Sequence, residues 1–188
     1  MINLLLDVDT GIDDALALFY LADAQKKGQL KILGCTTVGG NVEVAQTTLN
    51  TLKVWEMLEL EIPVASGAES PLQATLNAAP FVHGDDGLGN TFLTPPKRLP
   101  VDESAADMIL RLSHEYSGEL TLLTTAPLTN IAVALLRDPD LADRIRKLVI
   151  MGGAVFTGNV TAVAEANLAN DPEAARIVFR SGMELTLV

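Results

Sequence analysis

The chain has 188 residues, 48% hydrophobic and 4% aromatic, with one cysteine and a formal net charge of −11. That length holds one ordinary domain with a real core, and the composition fits a soluble Ala/Leu/Val-rich α/β protein. The charge argues against a nucleic-acid backbone or an anionic membrane surface as partner. No apolar run approaches the roughly 18 residues of a membrane span. Cys35, in the apolar-rich stretch KILGCTTV, is predicted to be a buried core residue. With no second cysteine to pair with and no leader at the N-terminus, it predicts a reducing, cytoplasmic location.

Along the chain, INLLLDV (2–8) reads as a strand and 12–27 as a helix. LKILGCTTV (30–38) is the next strand, 42–60 a helix and IPVAS (62–66) a short strand. A long irregular stretch, rich in Gly and Pro, runs from Gly67 to Pro100. Then come a helix over 102–116, the strand ELTLLTT (119–125), a helix over 128–136 and the strand KLVIMG (147–152). Residues 156–170 read as loop or mixed, 171–181 as a helix, and the closing MELTLV as a strand. Strands apolar on both faces that alternate with helices predict an open, mostly parallel, doubly wound (Rossmann-like) α/β sheet with helices on both faces. The reading is one domain over 1–188. Its last strand has nothing after it, as in the front part of a larger protein.

Ligands of such sheets bind outside the carboxyl ends of the strands, and the polar oddities fall there. Asp7, Asp9, Asp13 and Asp14 follow the first strand, Asn41 the second, and Thr125 with the PLTN turn the TLLTT strand. Asn159, Glu165 and Asn167 follow LVIMGG. Two carboxylates about 4 Å apart repel by about 4 kcal/mol at an effective dielectric of 20. Helix capping accounts for Asp13 or Asp14, in the first turn of a helix whose dipole favours them. It does not account for Asp7 and Asp9 arriving at the same place. A hard divalent cation does, and calcium, with 6–8 oxygen ligands, suits the set. Zinc lacks its His/Cys cluster.

Gly11 reads as the residue that permits a tight strand-to-helix turn. VGG at 38–40 is no GxGxxG fingerprint, and no GxxxxGK[ST] occurs. With no Lys or Arg in these motifs, the site suits a neutral, hydroxyl-rich ligand. His83, in FVHGDDGLG, lies where a mobile lid is expected. His114 falls in a helix as a surface residue.

DVDTGIDDALAL resembles the DxDxxxDD signature of the inosine–uridine-type nucleoside hydrolases. The resemblance continues in order through VGGN, HGDDGLG, TAPLTNIA and MGGAVFTGNVTAVAEANLANDPEAA, over essentially the whole chain. It implies the nucleoside hydrolase fold, a calcium cofactor, and cleavage of the N-glycosidic bond of ribonucleosides to ribose and free base. Asp9 then looks like the metal-bound aspartate that activates the attacking water, Asp14 like a bidentate calcium ligand, and Thr125 like a ligand through its backbone carbonyl. Asp13 and Asn167 resemble the groups that hold the ribose 2′- and 3′-hydroxyls, and Asn159 and Glu165 those that hold the 5′-hydroxyl. Asn41 and Met151 would line the ribose pocket, and His83 matches a loop histidine near the base. The implied partners are a small-molecule ribonucleoside and further copies of the chain in a homo-oligomer.

The pattern departs from the family in two ways. A late aspartate of the calcium shell and a histidine that protonates the leaving purine come from a segment beyond Val188, and Ala166 stands where many members carry an aromatic residue. An alternative is therefore a truncated, inactive homologue or a ribose-binding subunit. A remote one is a haloacid-dehalogenase-type phosphatase, whose DxDx[TV] motif would need Thr or Val where Gly11 stands.

Overall fold

Strand β1 (Ile2–Val8) is buried from Leu4 onward, as an interior strand covered on both faces has to be. The computed structural model, which describes residues 1–188, assembles six strands in the order β3-β2-β1-β4-β5-β6. The others are β2 (Leu30–Thr37), β3 (Val64–Ser66), β4 (Leu120–Thr124), β5 (Ile145–Ile150) and β6 (Leu185–Leu187). Every neighbouring pair is parallel. The carboxyl ends therefore share one edge, as the sequence predicts.

Alternation along β1 sorts its side chains into two cores. Leu4, Leu6 and Val8 pack with Leu18 and Leu21 of α1 (Ile12–Lys26) and with Leu52 and Trp55 of α2 (Val44–Met57). Leu5 points the other way. It joins Met108 and Ile109 of α4 (Ala105–Glu115), Ile131 of α5 (Thr129–Arg137) and Val178 of α8 (Pro172–Phe179). Burying a Leu or Ile side chain contributes about 1.5–3 kcal/mol, so these two layers fix how β1 sits. From β3 the chain returns past β1 to β4. The order of the strands therefore reverses between β1 and β4, the place where doubly wound sheets open a ligand crevice.

Three short helices lie outside the predicted elements. They are α3 (Pro80–His83) within the irregular stretch, α6 (Leu141–Arg144) after the DPD turn, and α7 (Ala166–Asn170) in the mixed segment. One helical turn is too short to carry a periodic signal. Strand β5 starts at Ile145, earlier than predicted, because Ile145 is buried opposite Leu120 while the charged Arg146 faces out. Cys35 is fully buried and the His114 side chain is exposed, both as expected. No helix is long and apolar enough to cross a membrane.

Candidate active site

The four aspartates at the end of β1 do not share one place, contrary to expectation. Asp7 is the one carboxylate within β1 and is completely buried. Its Oδ1 accepts from Thr36 Oγ1 at 2.6 Å and from Asn130 Nδ2 of α5 at 2.8 Å. Desolvation raises its pKa to about 6, against those two hydrogen bonds. Asp13, on the outer side of the first turn of α1, has a largely exposed side chain whose Oδ1 lies 3.8 Å from His83 Nδ1.

Asp9 and Asp14 form the pair that remains. Asn41, in the loop after β2, bridges them: its backbone N–H donates to Asp9 Oδ2 at 2.7 Å and its Nδ2 to Asp14 Oδ2 at 3.1 Å. Glycine makes this approach possible, since a Cβ on Gly40 would lie 1.9 Å from Asp9 Oδ2. Gly11 serves the same end rather than the predicted one. Its φ of −98° is open to any residue, but a Cβ there would meet His83 Nδ1 at 2.5 Å and Asn41 Nδ2 at 2.6 Å. Asp14 also caps its own helix, with Oδ2 accepting the Gly11 N–H at 2.9 Å. The capping reading of that residue is therefore borne out, and its Oδ1 is left to other partners.

From the far side of the switch point comes Thr125, just past β4. Its hydroxyl donates to Asp14 Oδ1, and its carbonyl accepts Asn167 Nδ2 at 2.9 Å. The same amide reaches the Met151 carbonyl and sulfur, each at 3.3 Å. Asp9, Asp14, Asn41, Thr125, Met151 and Asn167 thus form one hydrogen-bonded network. Beside it opens a cavity of about 540 Å³ lined by Asn41, Phe81, Asn159, Ala166 and Asn167 among others.

Asn159 lines this cavity and Glu165 precedes the lining residues Ala166 and Asn167, but the oxygens of both are engaged with backbone. Glu165 caps α7 and accepts from the N–H groups of Asn167, Leu168 and Gly153. Asn159 Oδ1 accepts from Ala166 N–H at 2.9 Å. His83 Nδ1 accepts the Ile12 N–H at 3.3 Å. The segment where a mobile lid is expected is a self-bonded loop, in which Asp86 accepts the N–H groups of Leu88, Asn90 and Phe92.

Whether this pair suits a cation is decided by its charge. Burial raises the Asp9 pKa well above the usual range, and the nearby Asp14 charge raises it further. Asp14 is raised to about 6, by burial first and then by Asp13. Asp9 Oδ1 is buried without any hydrogen-bond partner. A buried carboxylate oxygen with no donor beside a second carboxylate is stabilised by a hard cation, so the donor chemistry fits calcium. No three His, Cys, Asp or Glu side chains converge here. Asp9, Asp14 and Thr125 therefore supply only part of a shell of six to eight oxygens.

The sequence reading passed over Asn50 and its neighbours on α2. Thr47, Thr48, Asn50 and Thr51 are buried on that helix. The polar run QTTLNT, where an amphipathic helix should present an apolar stripe, was the available signal.

A deeply buried acidic pair thus lies at the switch point of a doubly wound sheet, the place where proteins of this fold class bind small molecules. The chain belongs to the inosine-uridine preferring nucleoside hydrolase family, whose model matches residues 4–188. It is 45% identical over 99% of its length to uridine nucleosidase 1 of Arabidopsis thaliana, covering 55% of that protein. Among solved structures it superposes on a plant nucleoside hydrolase, PpNRh1, with a TM-score of 0.94 at 40% identity, covering 99% of this chain and 59% of that one. With the purine-preferring ribonucleoside hydrolase from Gardnerella vaginalis the TM-score is 0.93 at 38% identity, over 98% of this chain and 60% of that one. The chain therefore spans a little over half the length of these relatives. Family membership leaves the phosphatase alternative without support.

Proposed function

We propose that this chain carries the catalytic and ribose-binding residues of a calcium-dependent ribonucleoside hydrolase. The observation that carries the reading is Asp9 Oδ1, buried and unpartnered beside Asp14 at the β1/β4 switch point. Asp9, Asp14 and Thr125 would hold the cation, which when bound supplies positive charge that keeps both carboxylates ionised and acidifies water.

In the reaction Asp9 takes the proton of a water whose oxygen attacks the sugar C1′. The C1′–N bond breaks, its electron pair leaves with the base, and the base takes up a proton. Positive charge grows on the sugar meanwhile, and the carboxylates of Asp9 and Asp14 stabilise it. Asp13 and Asn167 would hold the 2′- and 3′-hydroxyls, and Asn159 and Glu165 the 5′-hydroxyl. Asn41 and Met151 would line the ribose pocket, with His83 near the base. The absence of any basic side chain from the network supports an uncharged nucleoside over a nucleotide. One relative is named for uridine and another for purines, so both inosine and uridine are the substrates to test.

The test is release of free base from inosine and uridine by the 188-residue chain, with calcium and with a chelator. Chelator-sensitive release that Asp9→Ala abolishes is the expected result. A folded chain that binds ribose without releasing base would instead assign it a binding role. Assembly into a homo-oligomer belongs to the same proposal, supported by the exposed Ile12, Leu16 and Tyr20 on α1. Sedimentation velocity checks it, and a monomer at micromolar concentration would refute it.

A further inference from the structure

The self-bonded loop of residues 83–92 is a rigid unit. Asp86 gathers three of its N–H groups, Gly89 N–H donates to the His83 carbonyl at 2.7 Å, and Asn90 Oδ1 accepts from Asp85 N–H. Such a unit moves as one body, so whatever anchors it decides where His83 stands. Two polar anchors tie it to the loop between β1 and α1. One is His83 itself, through the Ile12 N–H. The other comes from a third element. Asn50 of α2 donates through Nδ2 to the Thr10 carbonyl at 3.2 Å and to the Asp86 carbonyl at 2.8 Å.

Asn50 is completely buried. Its Oδ1 accepts from Gln46 Nε2 at 2.8 Å, so both ends of the amide are used. An apolar residue of similar size would fill the same space but would deprive two carbonyls of their donor. The neighbouring Thr51 reaches Thr10, hydroxyl to hydroxyl at 2.6 Å, and the Thr47 carbonyl of its own helix at 2.8 Å, but makes no hydrogen bond to the 83–92 loop. Among the buried polar residues of α2, Asn50 is the one that joins the loop carrying Asp9 to the loop carrying His83. Gly87 lets the two meet, since a Cβ there would lie 2.8 Å from Asn50 Nδ2.

We propose that Asn50 is a positioning residue: by clamping Asp86 to Thr10 it holds the 83–92 loop as one body, so that His83 lies against Gly11–Asp13 at the edge of the acidic pair. The consequence for turnover rests on the hydrolase reading, but the placement itself does not. With Asn50 lost, the hydrogen bond from the Ile12 N–H to His83, with Asp13 Oδ1 3.8 Å from the same ring nitrogen, is what remains to tie the loop to the start of α1, and the loop gains freedom to move.

The experiment uses the full chain labelled at histidine, which has two imidazoles, His83 and His114. In Asn50→Ala the nitrogen resonances of His83 should move while those of His114 stay. Amide exchange over 84–92 should accelerate about tenfold, as expected for losing one well-placed hydrogen bond, with β1 unchanged. Thr51→Val, which leaves the Asp86 bond intact, should not reproduce this. If Asn50→Ala fails to fold, Asn50→Leu, which keeps the buried volume and removes the donor to both carbonyls, should give the same two changes. A folded variant with His83 and the loop exchange unmoved overturns the proposal. Where the chain turns over nucleoside, KM should rise about tenfold with kcat less affected, the mark of lost substrate positioning. An inactive chain with the expected resonance shifts refutes the hydrolase reading and leaves Asn50 in its role. An active chain whose His83 ignores Asn50→Ala does the reverse.

Discussion

The two halves of the candidate site handle their polar groups in opposite ways. At the end of β1, Asp9 Oδ1 has no partner, and Asp9 and Asp14 both resist ionisation. Across the cavity, Glu165 and Asn159 are already satisfied by backbone N–H groups of their own segment. The first half is held rigid by the sheet and is left short of positive charge. The second half is nearly neutral in its hydrogen bonding and must exchange protein contacts for ligand ones. A cation is therefore expected to act mainly on the first half and a sugar hydroxyl mainly on the second.

The largest expected effect falls on the frustrated half. Asp9→Asn should lower base release by about 10²–10⁴-fold, the usual contribution of a positioned base. It should also remove stabilisation by calcium. For the unsubstituted chain, calcium at about 100 times its Kd should add about 2.7 kcal/mol, read as a rise in Tm. An equal rise in Asp9→Asn would erase the proposed distinction between the halves.

Next comes a pH effect on the cation-free chain. Asp7 has a folded pKa near 6, above its unfolded value of 3.8. Between those values the folded state holds more of the Asp7 proton, so the contribution of Asp7 to stability is greatest below pH 3.8 and is lost as pH rises toward 6. Integrated over that window the loss is roughly 3 kcal/mol. Asp7→Asn should remove that share of the slope and leave the share due to Asp9 and Asp14, measured by denaturant unfolding between pH 4 and about pH 7. An unchanged slope would mean that Asp7 is ionised without cost.

Smaller effects are expected across the cavity. Glu165→Gln replaces one accepting oxygen of the α7 cap by a donor and should cost about 1 kcal/mol, visible in Tm. Asn159 is exposed, and Asn159→Ala should change stability by no more than about 0.5 kcal/mol. If both residues hold the 5′-hydroxyl, each substitution should still raise KM for inosine more than for its 5′-deoxy analogue. Equal effects on the two substrates would limit Glu165 and Asn159 to shaping their own loop.

Much of this architecture was legible in the chain. Apolar runs such as INLLLDV and KLVIMG announce strands buried on both faces, and the interleaved helical patterns require parallel connections. The polar residues just beyond each strand then had to share an edge. Partnerships were not legible. Asp7 and Asp9 look alike in DVDT, yet one is held by Asn130, 123 residues away, and the other by Asn41, 32 residues away. Glu165 reads as a ligand group in the sequence, and its further role as the cap of a helix of five residues was too local to be foreseen. Asn50 drew no attention because a polar residue in a helix is ordinarily solvated, and only the crossing of three segments buries this one.

The amino-acid order alone determined the sheet, its parallel sense, the edge that bears the site and the acidic chemistry there, because periodicity and residue type are local properties. Tertiary structure decided which carboxylate oxygens are paired, which aspartate stands apart, and how the His83 loop is clamped. Those depend on atoms brought within 3 Å or so by topology, and no local pattern records that distance.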